Sequence, residues 1–96
     1  MRALVAAPGQ PGGVDLREVE EPTPRPSEAL VEVRAVSLNR GEVRALGTAE
    51  EGWRPGWDVA GTVLEPADDG SGPDAGTRVV ALVGAGGWGQ RAAVRT

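Results

Sequence analysis

The sequence has 96 residues, enough for one domain with a modest core of Ala, Val, Leu and at most three Trp, because Phe and Tyr are absent. It contains neither Cys nor His, which excludes disulfides, zinc, haem and iron–sulfur centres and any catalytic triad built on a thiol or an imidazole. With a net charge of −4 and apolar runs of only about six residues, the chain is predicted to be cytoplasmic, without a nucleic-acid or membrane partner.

The first half of the chain contains three predicted strands. An apolar run over residues 2–7 predicts the first, and the Pro- and Gly-rich stretch that follows it predicts a tight turn. Residues 14–20 predict the second strand. Three alternating prolines in residues 21–26 then favour an extended loop. The clearest strand covers residues 29–36, where Val and Ala alternate with Glu and Arg at a period of two.

The pattern changes immediately after the third strand. Asn39 followed by Glu42 has the spacing of a capping box, in which each residue satisfies a free backbone group at the start of a helix. Val43 and Leu46 lie on one apolar face of such a helix, and Gly47 suits its end. These features predict one short helix near residues 39–46.

The second half of the chain is predicted to add three strands, at residues 58–66, 77–83 and 90–96. Gly61 within a strand indicates a bulge or a close approach of two backbones. The run at 84–89, GAGGWG, satisfies the GxGxxG pattern of dinucleotide sites, but a strand rather than a helix is predicted after it. We interpret this run as a hairpin turn. The whole pattern predicts a mainly β fold, a compact barrel with one short helix.

Four segments carry a resemblance to a known family. In chain order they are MRALV, LREVEEPTPRPSEALVEVRAVSLNRGEV, PGWDVAGTV and TRVVALVGAGGWGQRAAV. Together they resemble the N-terminal GroES-like segment of the medium-chain dehydrogenase/reductase superfamily, and most closely its zinc-independent quinone oxidoreductase branch. The resemblance covers nearly all of the chain and implies one GroES-like, partly open β-barrel over residues 1–96.

The resemblance also implies a reaction and a cofactor. Members of this branch use NADP(H) or NAD(H), without zinc, to reduce quinone or enone-type carbonyl compounds. They continue into a Rossmann domain that binds the cofactor, and that domain is absent from this chain. The resemblance therefore implies an oxidoreductase domain that is inactive alone and does not bind NADPH by itself.

The site residues follow from the resemblance by position. Asn39 stands where zinc-dependent relatives have a Cys ligand, and Trp57 stands where they have a His ligand. The Asn39–Glu42 spacing resembles an Asn-Asp pair of the quinone oxidoreductase branch. By resemblance, Asn39, Arg40, Glu42, Trp53 and Trp57 line a pocket for a small-molecule carbonyl substrate. Arg40 or Asn39 would donate a hydrogen bond to a forming oxyanion, and the two indoles would form an apolar wall.

Other interpretations of the same residues stay open. Asn39 and Glu42 are explained by a helix cap alone, Trp57 by packing in the core, and Arg40 by solvent exposure. An enoyl-reductase-type domain of a polyketide-synthase-like system is one alternative function. A non-enzymatic GroES-like interaction module is another, with residues 12–16 as its nearest candidate for a partner-binding loop. An incomplete barrel is also expected to expose apolar surface and to self-associate.

Overall fold

The computed structural model describes all 96 residues and contains six strands and one helix. In chain order the elements are β1 (Arg2–Ala6), β2 (Val14–Glu18), β3 (Glu28–Ala35), α1 (Arg40–Leu46), β4 (Asp58–Glu65), β5 (Arg78–Leu82) and β6 (Arg91–Arg95). A short 3-10 turn, Pro11–Gly13, joins the first two strands. Every predicted strand and the predicted helix are confirmed, with bounds shifted by at most two residues.

The strands form two antiparallel sheets. β1 pairs with β2, and the larger sheet has the order β5-β4-β3-β6. The two sheets meet where Ala3 bridges to Gly89 and the Leu4 N–H donates to the Trp88 carbonyl at 2.9 Å. β5 ends the larger sheet without a further partner strand. The result is the mainly β, partly open barrel with one short helix that the sequence predicts.

Alternation along the strands of the larger sheet builds the core. Every second residue points inward, so small aliphatic side chains meet between the strands. The six buried residues of this cluster are Ala29, Val31, Val59, Val63, Ala92 and Val94. The core is therefore made of Ala and Val, as the composition requires, and Trp88 is buried beside it near the junction of the two sheets.

Gly61 confirms the predicted close approach of two backbones. A Cβ atom at this position would lie 1.9 Å from the Glu32 carbonyl oxygen on the neighbouring strand. The register of the β3–β4 pair shifts between Val33 and Ala35, opposite this glycine. The absence of a side chain at residue 61 therefore lets β3 and β4 lie this close at the register shift.

Two details of the predicted helix are wrong. Val43 is 58% exposed, and the buried residue of α1 is Glu42. Gly47 does not adopt the left-handed conformation of a glycine stop, because its φ is −64°. A buried carboxylate, rather than an apolar stripe, therefore holds the helix to the barrel. This helix of seven residues is the only one with α geometry, and it is too short to span a bilayer.

Candidate functional site

The Glu42 carboxylate is fully buried at the start of α1 and accepts three hydrogen bonds. Oε1 accepts from the backbone N–H of Asn39 at 2.9 Å and from its Nδ2 at 2.7 Å. Oε2 accepts from the backbone N–H of Trp57 at 2.8 Å. The first bond belongs to the predicted capping box, whereas the third ties the helix to the segment before β4. One carboxylate thus holds Asn39 and Trp57 side by side.

The Asn39 amide also reaches a second carboxylate. Its Nδ2 donates to Asp58 Oδ2 at 3.0 Å, and the Ser37 N–H donates to Asp58 Oδ1 at 2.9 Å. The Asn39 amide first, and then the Ser37 N–H, hold the pKa of Asp58 below its ordinary value. Because both amide hydrogens of Asn39 are engaged, that side chain has no free donor for a ligand. We call Asn39, Glu42, Trp57 and Asp58 the Glu42 cluster.

The hydrogen bond from Asn39 predicts a measurable titration shift. The Asn39→Ala variant should raise the pKa of Asp58 toward its ordinary value of 3.8, followed by carboxyl carbon NMR. Because the native pKa lies below the unfolded one, Asp58 stabilises the fold above pH 3.8 and loses this contribution as pH falls through its native pKa. Asp69, whose pKa is lowered by Ser71, is the control and should not move. An unchanged Asp58 titration would contradict the bond.

The Trp57 indole lies against Gly41 in the first turn of α1. A Cβ atom at Gly41 would stand 2.5 Å from Trp57 Cζ3 and 2.8 Å from Cη2, so only glycine leaves room for the ring. Trp57 keeps 37% of its surface exposed. The core-packing interpretation of Trp57 is therefore wrong: the indole rests on the helix start and is open to solvent.

A double-mutant cycle tests this contact. Gly41→Ala should cost about 2 kcal/mol of unfolding free energy because the new methyl group displaces the indole. In the Trp57→Ala background the same change should cost less than about 0.5 kcal/mol, since alanine suits a helix and nothing remains to clash. Urea unfolding followed by circular dichroism gives all four values. Equal costs in the two backgrounds would contradict the contact.

The other two predicted site residues stand outside the cluster. Arg40 is exposed at the first position of α1, and its guanidinium makes no hydrogen bond or ion pair. Trp53 is half-buried, and its carbonyl accepts the Ala6 N–H at 2.7 Å, which places it at the end of β1. Glu42 has no exposed surface with which to touch a ligand. The structure thus brings three of the five predicted residues together, with Arg40 beside them.

Sequence reasoning missed two residues of this site, Gly41 and Asp58. A glycine in a helical turn carries no local signal that an indole lies against it. An Asp at the start of a strand, such as Asp58, likewise carries no local signal of the residue that it contacts. Both roles depend on contacts between residues about 16 or more positions apart in the sequence, which no short motif displays.

The glycine run at 84–89 serves a structural purpose. Its N–H groups are taken by the loop before β4: Gly86 donates to the Arg54 carbonyl at 2.9 Å, and Gly87 donates to the Gly56 carbonyl at 3.1 Å. A strand, β6, follows the run. A dinucleotide site needs free N–H groups at the start of a helix. These residues therefore do not fit a nicotinamide dinucleotide, and the hairpin interpretation is favoured.

The described residues contain no group of three or more acidic side chains close enough to hold a metal ion. Residues 25–95, about three quarters of the chain, match the alcohol dehydrogenase GroES-like domain. The chain belongs to this family. The predicted identification as a GroES-like domain of the medium-chain dehydrogenase/reductase superfamily is therefore confirmed, and the fold is that of an oxidoreductase domain. No curated protein sequence matches the chain significantly.

Several solved structures share the fold across the whole chain. Human synaptic vesicle membrane protein VAT-1 homolog-like protein is 25% identical with a TM-score of 0.89, over 99% of this chain and 33% of that one. A probable oxidoreductase from Mycobacterium abscessus is 31% identical with a TM-score of 0.85, over 99% and 32%. The quinone oxidoreductase from Thermus thermophilus is 29% identical with a TM-score of 0.76, over 99% and 30%. The chain spans about a third of the length of these proteins.

Proposed function

We propose that this chain is the substrate-side domain of a zinc-independent, NAD(P)H-dependent oxidoreductase that reduces quinone or enone-type carbonyl compounds. One observation carries the proposal: Asn39 and Trp57 are held by the same buried carboxylate. By resemblance these positions hold zinc ligands in alcohol dehydrogenases. Glu42 thus accepts from the Asn39 amide and from the Trp57 backbone N–H, and it brings together two side chains, an amide and an indole, that are poor zinc ligands.

We assign different tasks to the predicted residues. Trp57 offers an exposed aromatic face on which a planar quinone or enone can stack. Arg40, adjacent in sequence to the glycine under the indole, has free guanidinium donors for a carbonyl oxygen that gains negative charge. Asn39 is committed to two carboxylates and positions the others. We therefore propose that Arg40, and not Asn39, donates the hydrogen bond to the forming oxyanion.

The cofactor of this proposal is bound by other residues. The nicotinamide group supplies the hydride, and the Thermus thermophilus quinone oxidoreductase has a complex with NADPH. The glycine run of this chain does not fit such a cofactor, since its N–H groups are used inside the fold. We therefore assign only substrate binding to these residues and expect no NADPH binding by the chain alone.

The interaction-module alternative receives no support from the fold. Its candidate loop, residues 12–16, lies in the 3-10 turn and in β2. β2 pairs along its length with β1, from Arg2 opposite Glu18 to Ala6 opposite Val14. A partner-binding loop of such a module would have to be free, whereas residues 14–16 are paired within a hairpin.

An NMR titration tests the proposed site. Duroquinone, a planar quinone without a reactive ring position, is added to ¹⁵N-labelled chain, and the three indole N–H signals are followed. We expect the Trp57 indole and the Arg40 signals to shift together, while the indole of buried Trp88 stays in place. An enone such as cyclohexenone, titrated in parallel, distinguishes the two substrate classes.

Two variants sharpen the result. Trp57→Ala should weaken duroquinone binding about tenfold or more, because the stacking surface is lost. Leu16→Ala removes another exposed apolar side chain, 56% exposed, from a different sheet and should leave binding unchanged. Shifts confined to residues away from the Glu42 cluster, or equal loss in both variants, would contradict the proposed site.

A further inference from the structure

The free edge of the larger sheet carries the most exposed large apolar side chains of the chain. Val80 and Leu82 of β5 are 83% and 84% exposed. Their neighbours Val79 and Ala81 point the other way and pack against the core. Beside Val80 and Leu82, an apolar groove of about 390 Å³ runs across the sheet face to Val36. Such an edge is a template for another strand.

The backbone of β5 shows which groups are free. The Val83 N–H donates to the Trp57 carbonyl at 2.8 Å, and the Val63 N–H donates to the Thr77 carbonyl at 2.9 Å. Odd-numbered residues of this stretch therefore bond to β4. In an antiparallel ladder the alternate residues turn their N–H and C=O groups to the other side. Arg78, Val80 and Leu82 thus present an unpaired row of donors and acceptors along the edge.

We propose that β5 pairs antiparallel with β5 of a second copy of this chain, with the two-fold axis at Val80. In this register Val80 faces the partner's Val80, and Arg78 faces the partner's Leu82. Three free N–H groups from each copy give about six hydrogen bonds across the interface. No like charges stand opposite one another, so the edge is complementary to itself.

Charge complementarity favours a second copy over an unrelated strand. Asp58 lies opposite Leu82 in the β4–β5 pair, so both side chains are on one face of the sheet. The partner's Arg78, opposite the same Leu82, lies on that face as well. Two strand spacings, about 10 Å between Cα atoms, separate it from Asp58, which is within reach of an arginine side chain. Because the dimer is two-fold symmetric, the pair between Asp58 and the partner's Arg78 occurs twice.

Sedimentation equilibrium of the 96-residue chain tests the proposal. We expect a dimer that Val80→Lys dissociates, raising the dissociation constant about tenfold or more, because two like charges then meet at the axis. Leu38→Lys is the matched control. It places the same charge at a side chain that is 73% exposed but lies outside β5, and it should leave the dimer intact. Circular dichroism verifies that both variants are folded.

Two further measurements test the register. Arg78→Glu should weaken the dimer by repelling the partner's Asp58 and should reverse its response to salt, because salt weakens an attraction but relieves a repulsion. Val80→Cys introduces the only thiol of the chain, and oxidation should link two copies, because paired Cα atoms about 5.5 Å apart allow a disulfide. A monomeric wild-type chain, equal dissociation by Leu38→Lys, or no cross-link in the Val80→Cys dimer would overturn the proposal. The outcomes for Val80→Lys, Leu38→Lys and Val80→Cys involve no residue of the proposed substrate site, so they can fail or succeed independently of it.

Discussion

Replacing Glu42 by Ala is expected to lower the free energy of unfolding by about 4 kcal/mol. The substitution removes the acceptor of three hydrogen bonds from a position with no exposed surface. It leaves the backbone N–H groups of Asn39 and Trp57 without their partner. For a domain of this size, such a loss is a large part of the total stability. Urea unfolding at neutral pH measures it.

Two comparison variants separate the causes. Glu42→Gln keeps the shape but places an NH₂ group where only donors face the side chain, so about 2 kcal/mol should be lost. Glu65→Ala removes an exposed carboxylate at the end of β4 and should change stability by less than about 0.5 kcal/mol. A cost below about 1 kcal/mol for Glu42→Ala would contradict the account of this carboxylate as the anchor of the site.

Replacing Gly56 by Ala is expected to be about as costly, near 4 kcal/mol. Gly56 has a φ of 114°, which disfavours any side chain. A Cβ atom there would also lie 2.4 Å from the Trp88 nitrogen and 2.6 Å from the Gly87 nitrogen. Both contacts are with backbone, which cannot rotate away. The clash would separate the loop before β4 from the glycine turn and move the adjacent Trp57.

Gly70 provides the matched control for this prediction. It also has a positive φ, 81°, but a Cβ atom there meets nothing within 4 Å. Gly70→Ala should therefore cost only the conformational term, about 1 kcal/mol. The difference between the two variants measures the clash alone. Equal costs at Gly56 and Gly70 would show that the loop and the turn are not packed as described.

The strands were predictable because each depends on a local signal. Val31 and Val33 alternate with charged residues, and the same alternation places them in the barrel. The start of α1 was predictable for the same reason, since the capping box spans only four residues, Asn39 to Glu42. The apolar face of the helix was not, because Glu42 rather than Val43 anchors it. That choice depends on Trp57, which is distant in sequence.

The site was predictable only in part. Resemblance placed Asn39 and Trp57 at corresponding positions, and the structure shows them on one carboxylate. The sequence did not show whether the side chains of Asn39 and Trp57 are free to contact a ligand. Whether the Asn39 amide has a free hydrogen depends on Asp58, 19 residues away, and the exposure of Trp57 depends on Gly41. Long-range contacts of this kind determine which candidate donor a ligand meets.

Glu42 holds the Trp57 backbone so that the indole lies over the start of α1, open to solvent. Nuclear Overhauser contacts from the Trp57 ring protons test it most directly on the uniformly labelled chain. We predict strong contacts from the Hζ3 and Hη2 protons to the Gly41 Hα protons, together with slow hydrogen exchange at the Trp57 amide. Contacts from this ring to the core valines instead, with a rapidly exchanging Trp57 amide, would contradict the account.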